Sequence, residues 1–344
     1  LEPLTILVLV VILGALIFDF CNGWNDSANA IATVVSTRVL TPAQAILLAA
    51  ALNFAGAFAG QAVAKTIATK ILEPSVIQAL PPIAGQVLVL SAVLSAAIWV
   101  AGVTRLGMPV SGSHSLIGGL IGAGLALTGS GAIKMAGVEK VLLALLLSPL
   151  FGLLIGYFLM TGIYWLCKKW TNRMVQKAFG KLQIVSVSWM AFEHGHNDAQ
   201  KAMGVITMAL VAAGWQDGAD LHVQWWVILI CGAAMAIGTA AGGWRVIRTV
   251  GGGLLKLRPV QGFAAETSAS IVLMGAASIG LPVSTTHTIT SSIMGVGATQ
   301  RLSAVRWGVG GKILWAWIFT FPATIFVGWG LYRVLEPMFR GMHS

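Results

Sequence analysis

One polar segment occurs twice in an otherwise apolar chain. Gly23-Trp24-Asn25-Asp26-Ser27-Ala28-Asn29-Ala30 returns, altered, as Gly195-His196-Asn197-Asp198-Ala199-Gln200-Lys201-Ala202, 172 residues further on. A second pair, Pro109-Val110-Ser111-Gly112-Ser113-His114 and Pro282-Val283-Ser284-Thr285-Thr286-His287, is separated by 173 residues. The near-equal spacings mean that one long unit has been duplicated. Both copies keep carboxylates, amides and hydroxyls inside strongly apolar surroundings, which is how membrane transporters build a polar site near the midplane.

The surroundings exclude a soluble globule. The chain is 57% hydrophobic and 9% charged, against about 25% charged residues in ordinary soluble domains. Apolar stretches near spanning length, about 20 residues, run from Leu4 to Ile17 and on into the first motif. Others cover Ala43 to Gly60, Val87 to Val103, Val141 to Leu166, Trp225 to Gly242 and Ile313 to Leu331. The net charge of +10 does not point to nucleic acid, because it is confined to short linkers. Lys168, Lys169, Arg173, Lys177 and Lys181 form one cluster; Arg245, Arg248, Lys256 and Arg258 form another. Such clusters mark cytoplasmic loops, whereas the linker from Ala213 to Gln224, with Asp217 and Asp220 and no Lys or Arg, is expected outside. Cys21, Cys167 and Cys231 are scattered and apolar-flanked, so they read as packing residues. The opening apolar run flows straight into the first motif, which argues against a cleaved leader.

These features predict an all-α polytopic membrane protein, with residues 1–167 as a first repeat, 168–183 as a basic cytoplasmic linker and 184–344 as a second repeat. The helix carrying each Asn-Asp motif is expected to be interrupted, the first near Asn22 to Ala30. The Gly-rich stretch from Ser111 to Thr128 looks too short and too polar at its start for a full crossing, and is expected to be re-entrant, lining a protein-walled cavity. If each repeat crosses the membrane an odd number of times, the two copies have inverted topology. The loop charges lean that way: 245–258 is basic, while 61–73 sets Lys65 and Lys70 against Glu73.

The Pro-Val-Ser elements have a direct physical reading. Proline suits a helix start, and Ser111, Ser113, Ser284, Thr285 and Thr286 are the residue types that cap one. Behind such caps lie free N–H groups and the positive end of the helix dipole, together an anion site. An ordinary capped helix would explain one copy; two copies at the same repeat position suit an anion with several oxygens. His114 and His287 either touch that anion or lock the helix starts. Gly118, Gly119, Gly122 and Gly124 allow close helix packing.

The Asn-Asp elements supply the other half. A charge at the centre of a spanning helix costs about 2.5–3.5 kcal/mol, so Asp26 and Asp198 require a reason to be there. Lys201, three residues along the same helix face, offers Asp198 an ion pair. Asn29 holds that place for Asp26, which leaves cation binding or protonation. A carboxylate beside an anion site is repulsive by about 4 kcal/mol at 4 Å and an effective dielectric of 20; a bound cation removes the penalty and makes anion binding conditional on it. The expectation is coupled symport. Glu266 is either a cation ligand or an inter-helix hydrogen-bond partner, and Asp19 and Glu193 are expected to support the motifs. Gly308-Val309-Gly310-Gly311-Lys312 lacks P-loop spacing. An intramembrane hydrolase using Ser284, His287 and Asp198 is the reading from another class; duplicating a nucleophile has no catalytic rationale, whereas duplicating an anion cap does.

At these residues the chain resembles the inorganic phosphate transporter (PiT) family of bacterial type, whose signature is a duplicated Gly-x-Asn-Asp-x-x-[Asn/Lys]-Ala paired with Pro-[Val/Ile]-Ser-[Thr/Gly]-[Thr/Ser]-His. All four elements stand here in that order. His194-Gly195-His196-Asn197-Asp198-Ala199-Gln200-Lys201-Ala202-Met203-Gly204 and the run Gly262-Phe263-Ala264-Ala265-Glu266 also follow the pattern. The resemblance implies a secondary active symporter that imports inorganic phosphate with sodium or protons, free or as a metal-phosphate complex, across a bacterial-type cytoplasmic (inner) membrane by alternating access. The alternative cargo is another tetrahedral oxyanion such as sulfate. It implies two inverted repeats with discontinuous helices and re-entrant helical hairpins meeting at the phosphate. Ser111, Gly112, Ser113, Ser284, Thr285 and Thr286 would face phosphate. Asn25, Asp26, Asn197 and Asp198 would serve phosphate and sodium, with Asn29 and Glu266 as further cation-coupling residues and His114, His287, Gln200 and Lys201 in support. No cofactor beyond the coupling sodium or proton is implied, and a homodimer is compatible with the chain. Two departures break the symmetry: Val63-Ala64-Lys65-Thr66-Ile67 stands where many members carry a glutamate, and Lys201 stands in place of a second Asn, where its ammonium either replaces one coupling cation or pairs with Asp198.

Overall fold

The computed structural model describes residues 2–218 and 221–340; Asp220 of the acidic linker lies outside them. In the first half the chain forms α1 (Pro3–Ser36), α2 (Pro42–Gly56), α3 (Ala62–Lys70), α4 (Pro74–Ala79), α5 (Pro82–Arg105), α6 (Gly112–Thr128) and α7 (Met135–Leu166). The second half repeats the series without α4: α8 (Asn172–Ala212), α9 (Trp225–Ala241), α10 (Trp244–Gly253), α11 (Pro259–Ser278), α12 (Thr285–Ala298) and α13 (Trp307–Arg340). Local chemistry sets the starts. Pro82 and Pro259 open α5 and α11, where a missing N–H costs nothing. Thr41 caps α2 in a reciprocal box with Gln44. Thr171 accepts from Met174 N–H at the start of α8, so most of the basic stretch 168–183 is the first turns of that helix. Gly107 and Gly280, a repeat-related pair, carry positive φ in the turns after α5 and α11.

The halves are interlocked. α1 packs on α9 and α10, and its counterpart α8 packs on α2 and α3; α6 packs on α13, as α12 does on α7. The motif glycines make the closest of these crossings possible. A Cβ on Gly23 would lie 2.5 Å from the carbonyl oxygen of Met235, and one on Gly195 would run into the backbone of Asn53.

Polarity runs from inside outward. The fully buried set includes Asp19, Asn22, Asp26, Asn53, Asp198 and Glu266, while Leu146, Phe158 and Phe326 point outward. Of the exposed tryptophans, Trp165, Trp170, Trp215, Trp225, Trp244 and Trp307 lie at or near helix ends, as in an interfacial aromatic belt, while Trp315 and Trp329 lie within α13. Among the described residues, five helices are long and apolar enough to cross a bilayer, or six if α9 and α10, bent by 70° at Gly242-Gly243, form one broken span.

One expectation fails. The helices that carry the Asn-Asp motifs are not interrupted: α1 is continuous over 34 residues and α8 over 41. A continuous helix satisfies its own backbone, so the motif's amides and carboxylates are free to reach across to neighbouring helices. The breaks fall elsewhere, between α2 and α3, between α9 and α10, and before α6 and α12.

Candidate functional site

The site forms where two helix starts meet two motif helices. Ser111 and Ser284 are the N-caps of α6 and α12, accepting from the N–H groups of His114 and His287, each at 3.2 Å. These bonds leave the N–H groups of the first helical residues, Gly112 and Ser113 in α6 and Thr285 and Thr286 in α12, without intrahelical partners. The tips are stitched together reciprocally: Ser113 Oγ donates to Val283 O at 2.7 Å and Thr286 Oγ1 donates to Val110 O at 3.0 Å. The His114 and His287 rings sit 4.6 Å apart. Residues at matching places in the two sequence copies thus touch each other reciprocally.

Below the tips lie the aspartates, both sealed from solvent. Thr286 Oγ1 also lies 2.8 Å from Asp26 Oδ1, so its one proton is shared between that oxygen and Val110 O, and Thr285 Oγ1 lies 3.4 Å from Asp26 Oδ2 and 3.3 Å from Asp198 Oδ2. Asn22 Nδ2 donates to Asp198 Oδ2 at 3.0 Å and Lys201 Nζ reaches the same oxygen at 2.7 Å. Asn29 Nδ2 donates to Thr286 Oγ1 at 2.9 Å. Asn25 grips the turn before α6, donating to Thr104 Oγ1 at 2.8 Å and to Met108 O at 3.2 Å and accepting from Val110 N–H at 3.2 Å. Gly112 is required for close approach, because a Cβ there would overlap the Asn22 side chain.

His194, which the sequence singled out only as a flank of the motif, proves central. It is the repeat counterpart of Asn22, and its Nε2 lies 3.7 Å from Asp26 Oδ2 and 3.8 Å from Asp198 Oδ2. Its tautomer follows from its neighbours. Thr239 donates to Met235 O at 3.0 Å, so it accepts from Asn53 Nδ2 at 2.8 Å, which turns Asn53 Oδ1 toward His194 Nδ1 at 3.1 Å. The Nδ1–H therefore donates to Asn53, and Nε2 is the ring atom that faces the two carboxylates. Asp26, His194 and Asp198 bring one ligand atom each within 4.8 Å of one another, a donor set suited to a cation.

The remaining unpartnered buried atoms agree. Around the aspartates they are Asn22 Oδ1, Asn29 Oδ1, His194 Nε2, Asp198 Oδ1 and both amide atoms of Asn197, with both oxygens of Asp19 on the same helix as Asp26. Apart from Asn197 Nδ2 and the His194 ring nitrogen, all are acceptors. Buried carboxylate and amide oxygens without donors need positive charge.

Other predicted residues lie apart. Glu266 sits in its own nest on α11, accepting from Thr33 at 2.5 Å, from Gln183 at 3.0 Å and from Ser186. By the 173-residue spacing its counterpart is Val93. Glu193 turns away from the aspartates to His196 and Trp189, each at 3.2 Å. Gln200 caps α3 by accepting from Val63 and Ala64 N–H at 2.9 and 3.2 Å, much as Ser27 accepts from Gly243 N–H at the start of α10 at 2.7 Å. His114 locks its cap through Nδ1 to Ser111 Oγ at 2.8 Å. His287 stacks on Trp317 at 3.8 Å, so its ring engages that indole, while the Ser284 hydroxyl serves the helix start. This is not the geometry of a nucleophile and its base. A recess of about 950 Å³ beside these rings is lined mainly by leucines and tryptophans and includes neither aspartate.

Comparison with known proteins decides the family. Residues 22–328 match the model of the phosphate transporter family. The chain belongs to that family. A curated relative from Bacillus subtilis, named a probable low-affinity inorganic phosphate transporter, is 41% identical over 98% of this chain and 100% of its own length. One of the same name from Rhizobium meliloti is 45% identical over 91% and 92%. A solved structure titled "The sodium-dependent phosphate transporter" superposes with a TM-score of 0.86 at 25% identity, covering 96% of this chain and 99% of that one. This member of the phosphate transporter family is thus a membrane transporter and not an enzyme, and the hydrolase reading is set aside.

Proposed function

We propose that this transporter imports inorganic phosphate together with sodium by alternating access, binding both in the chamber between the α6 and α12 tips and the two aspartates. The observation that carries this reading is the set of unmet acceptors around Asp26, His194 and Asp198, directly beneath two helix starts with free N–H groups. The N–H groups of Gly112, Ser113, Thr285 and Thr286 suit phosphate oxygens, and the acceptors suit a cation. Neither half binds well alone: phosphate is repelled by the carboxylates, and the cation gains most when the anion is present. Each negative charge moved inward against 100 mV costs about 2.3 kcal/mol, and a co-bound cation offsets it.

The fold supports two inverted repeats in this scheme. α6 and α12 meet at their N-termini and exchange reciprocal hydrogen bonds, as half-helices entering from opposite sides would. With the basic segments 168–181 and 245–258 on the cytoplasmic side, the chain sits in a bacterial-type inner membrane. One chain supplies both tips, so a single copy is sufficient for the site. A carboxylate accepting a P–OH hydrogen would favour phosphate over sulfate.

His194 favours a second reading of the cargo, phosphate accompanied by a divalent metal ion. An imidazole nitrogen beside two carboxylates fits a transition-metal cation better than an all-oxygen set would.

The test is uptake of labelled phosphate into proteoliposomes, with sodium and proton gradients imposed separately and excess sulfate as competitor. The sodium gradient should drive accumulation that sulfate does not suppress. Uptake that follows neither gradient would overturn coupled transport. Uptake that appears only when a divalent cation is added would select the second reading.

A further inference from the structure

The two repeats share Asn25 and Asn197, Asp26 and Asp198, and Ser111 and Ser284, and they differ where one of them carries an ammonium. Asn29 in α1 and Lys201 in α8 are counterparts by the 172-residue spacing. Asn29 gives its amide to the Thr286 hydroxyl at 2.9 Å, and among the described residues Asp26 makes no ion pair with a lysine or arginine, the His194 ring nitrogen being 3.7 Å away. Lys201 places its ammonium 2.7 Å from Asp198 Oδ2, with 1% of the lysine side chain exposed and none of the aspartate's. Asp19, whose oxygens have no hydrogen-bond partner among the described residues, lies within Coulombic reach of Asp198 and Lys201.

We propose that the Lys201 ammonium is a tethered coupling cation: it occupies at Asp198 the role that a mobile cation fills at Asp26, and so lowers the number of cations moved per phosphate by one. This rests on the coupled-transport reading above. Asp198 is neutralised in every state of the transporter by a charge that cannot leave. Asp26, held by hydroxyls and without an ammonium of its own, still needs one. A mobile cation at Asp198 would enter with phosphate and contribute its gradient; a tethered one stabilises the carboxylate without contributing any. The pair also blocks the symmetric arrangement, because the ammonium fills the space beside Asp198 Oδ2 where a second ion would bind.

The experiment reads the limiting accumulation ratio of phosphate in proteoliposomes at zero membrane potential under a fixed sodium gradient. Each added coupling ion multiplies that ratio by the gradient. Under a roughly tenfold gradient, Lys201→Asn should therefore raise the limit about tenfold, and Asn29→Lys should lower it about tenfold. The exchange variant carrying both changes keeps the chamber's charge and should return to the wild-type limit. If Lys201→Asn fails to insert, Asn29→Lys decides alone. Limits equal to wild type in the single variants overturn the inference while leaving coupled transport standing. So does a Lys201→Asn variant that changes only the phosphate concentration for half-maximal uptake, which would make the lysine a phosphate ligand. A wild-type protein that accumulates no phosphate under the gradient removes coupled transport and this inference with it.

Discussion

The Nδ1 of His194 lies 3.1 Å from the side-chain oxygen of Asn53, and that one bond fixes which ring nitrogen looks toward Asp26 and Asp198. Asn53 is itself held by Thr239, so a residue on α2 orients a ligand atom on α8. Replacing the orienting partner of a cation-binding imidazole typically lowers affinity by about 10–100-fold. Asn53→Leu should therefore raise the cation concentration for half-maximal phosphate uptake by at least about tenfold, with the protein still inserted. Unaltered cation dependence would show that His194 is a packing residue.

Asp26 is the carboxylate with no ammonium beside it. Asp26→Asn keeps a hydrogen-bonding group of the same shape for Thr285 and Thr286 and removes the charge that the cation answers. Coupled uptake should fall by about 100-fold or more, while size-exclusion and thermal unfolding in detergent stay near wild type. Normal transport with unchanged cation dependence would contradict the coupling scheme.

Gly112 leaves room for the Asn22 amide against the start of α6. Gly112→Ala should displace that tip, costing about 1–3 kcal/mol as overpacking does, and should suppress uptake as well as lower the melting temperature. The double change Gly112→Ala with Asn22→Ala should recover most of the melting temperature. A single Gly112→Ala variant as stable as wild type would mean the tip moves more freely than its contacts imply.

Glu266 gathers hydroxyl and amide donors from α1 and α8 onto α11. Glu266→Leu should strand those donors in an apolar interior, at about 1–3 kcal/mol for a buried group left unpaired. Thermal unfolding in detergent measures this, and an unchanged midpoint would mean the nest adds nothing to the packing of those helices.

Much of this was readable before any coordinates. Repetition exposed the duplication, and the residue types Ser111, Ser284 and their neighbours announced capped helix starts. Buried Asp26 pointed to a site because no lysine stands three residues on to pair with it, as Lys201 does for Asp198. What pattern could not reach was three-dimensional pairing. The motif helices looked interrupted because Asn and Asp disfavour helix interiors, yet Asn25 and Asn22 spend their hydrogen bonds on other helices. His194 and Asn53 are 141 residues apart, and no spacing within either segment joins them; the one available hint was that His194 stands at Asn22's place in the repeat. Glu266 sits on a suitable helix, but its donors lie on Thr33, Gln183 and Ser186, away from the aspartates.

The central claim is linkage: phosphate and cation each bind well only when the other is present. Equilibrium binding of labelled phosphate to the purified transporter, titrated with sodium at constant ionic strength, tests it most directly. The account predicts that phosphate affinity climbs steeply with sodium in the wild type and that Asp26→Asn loses the dependence. Phosphate binding of equal strength with and without the cation would contradict it.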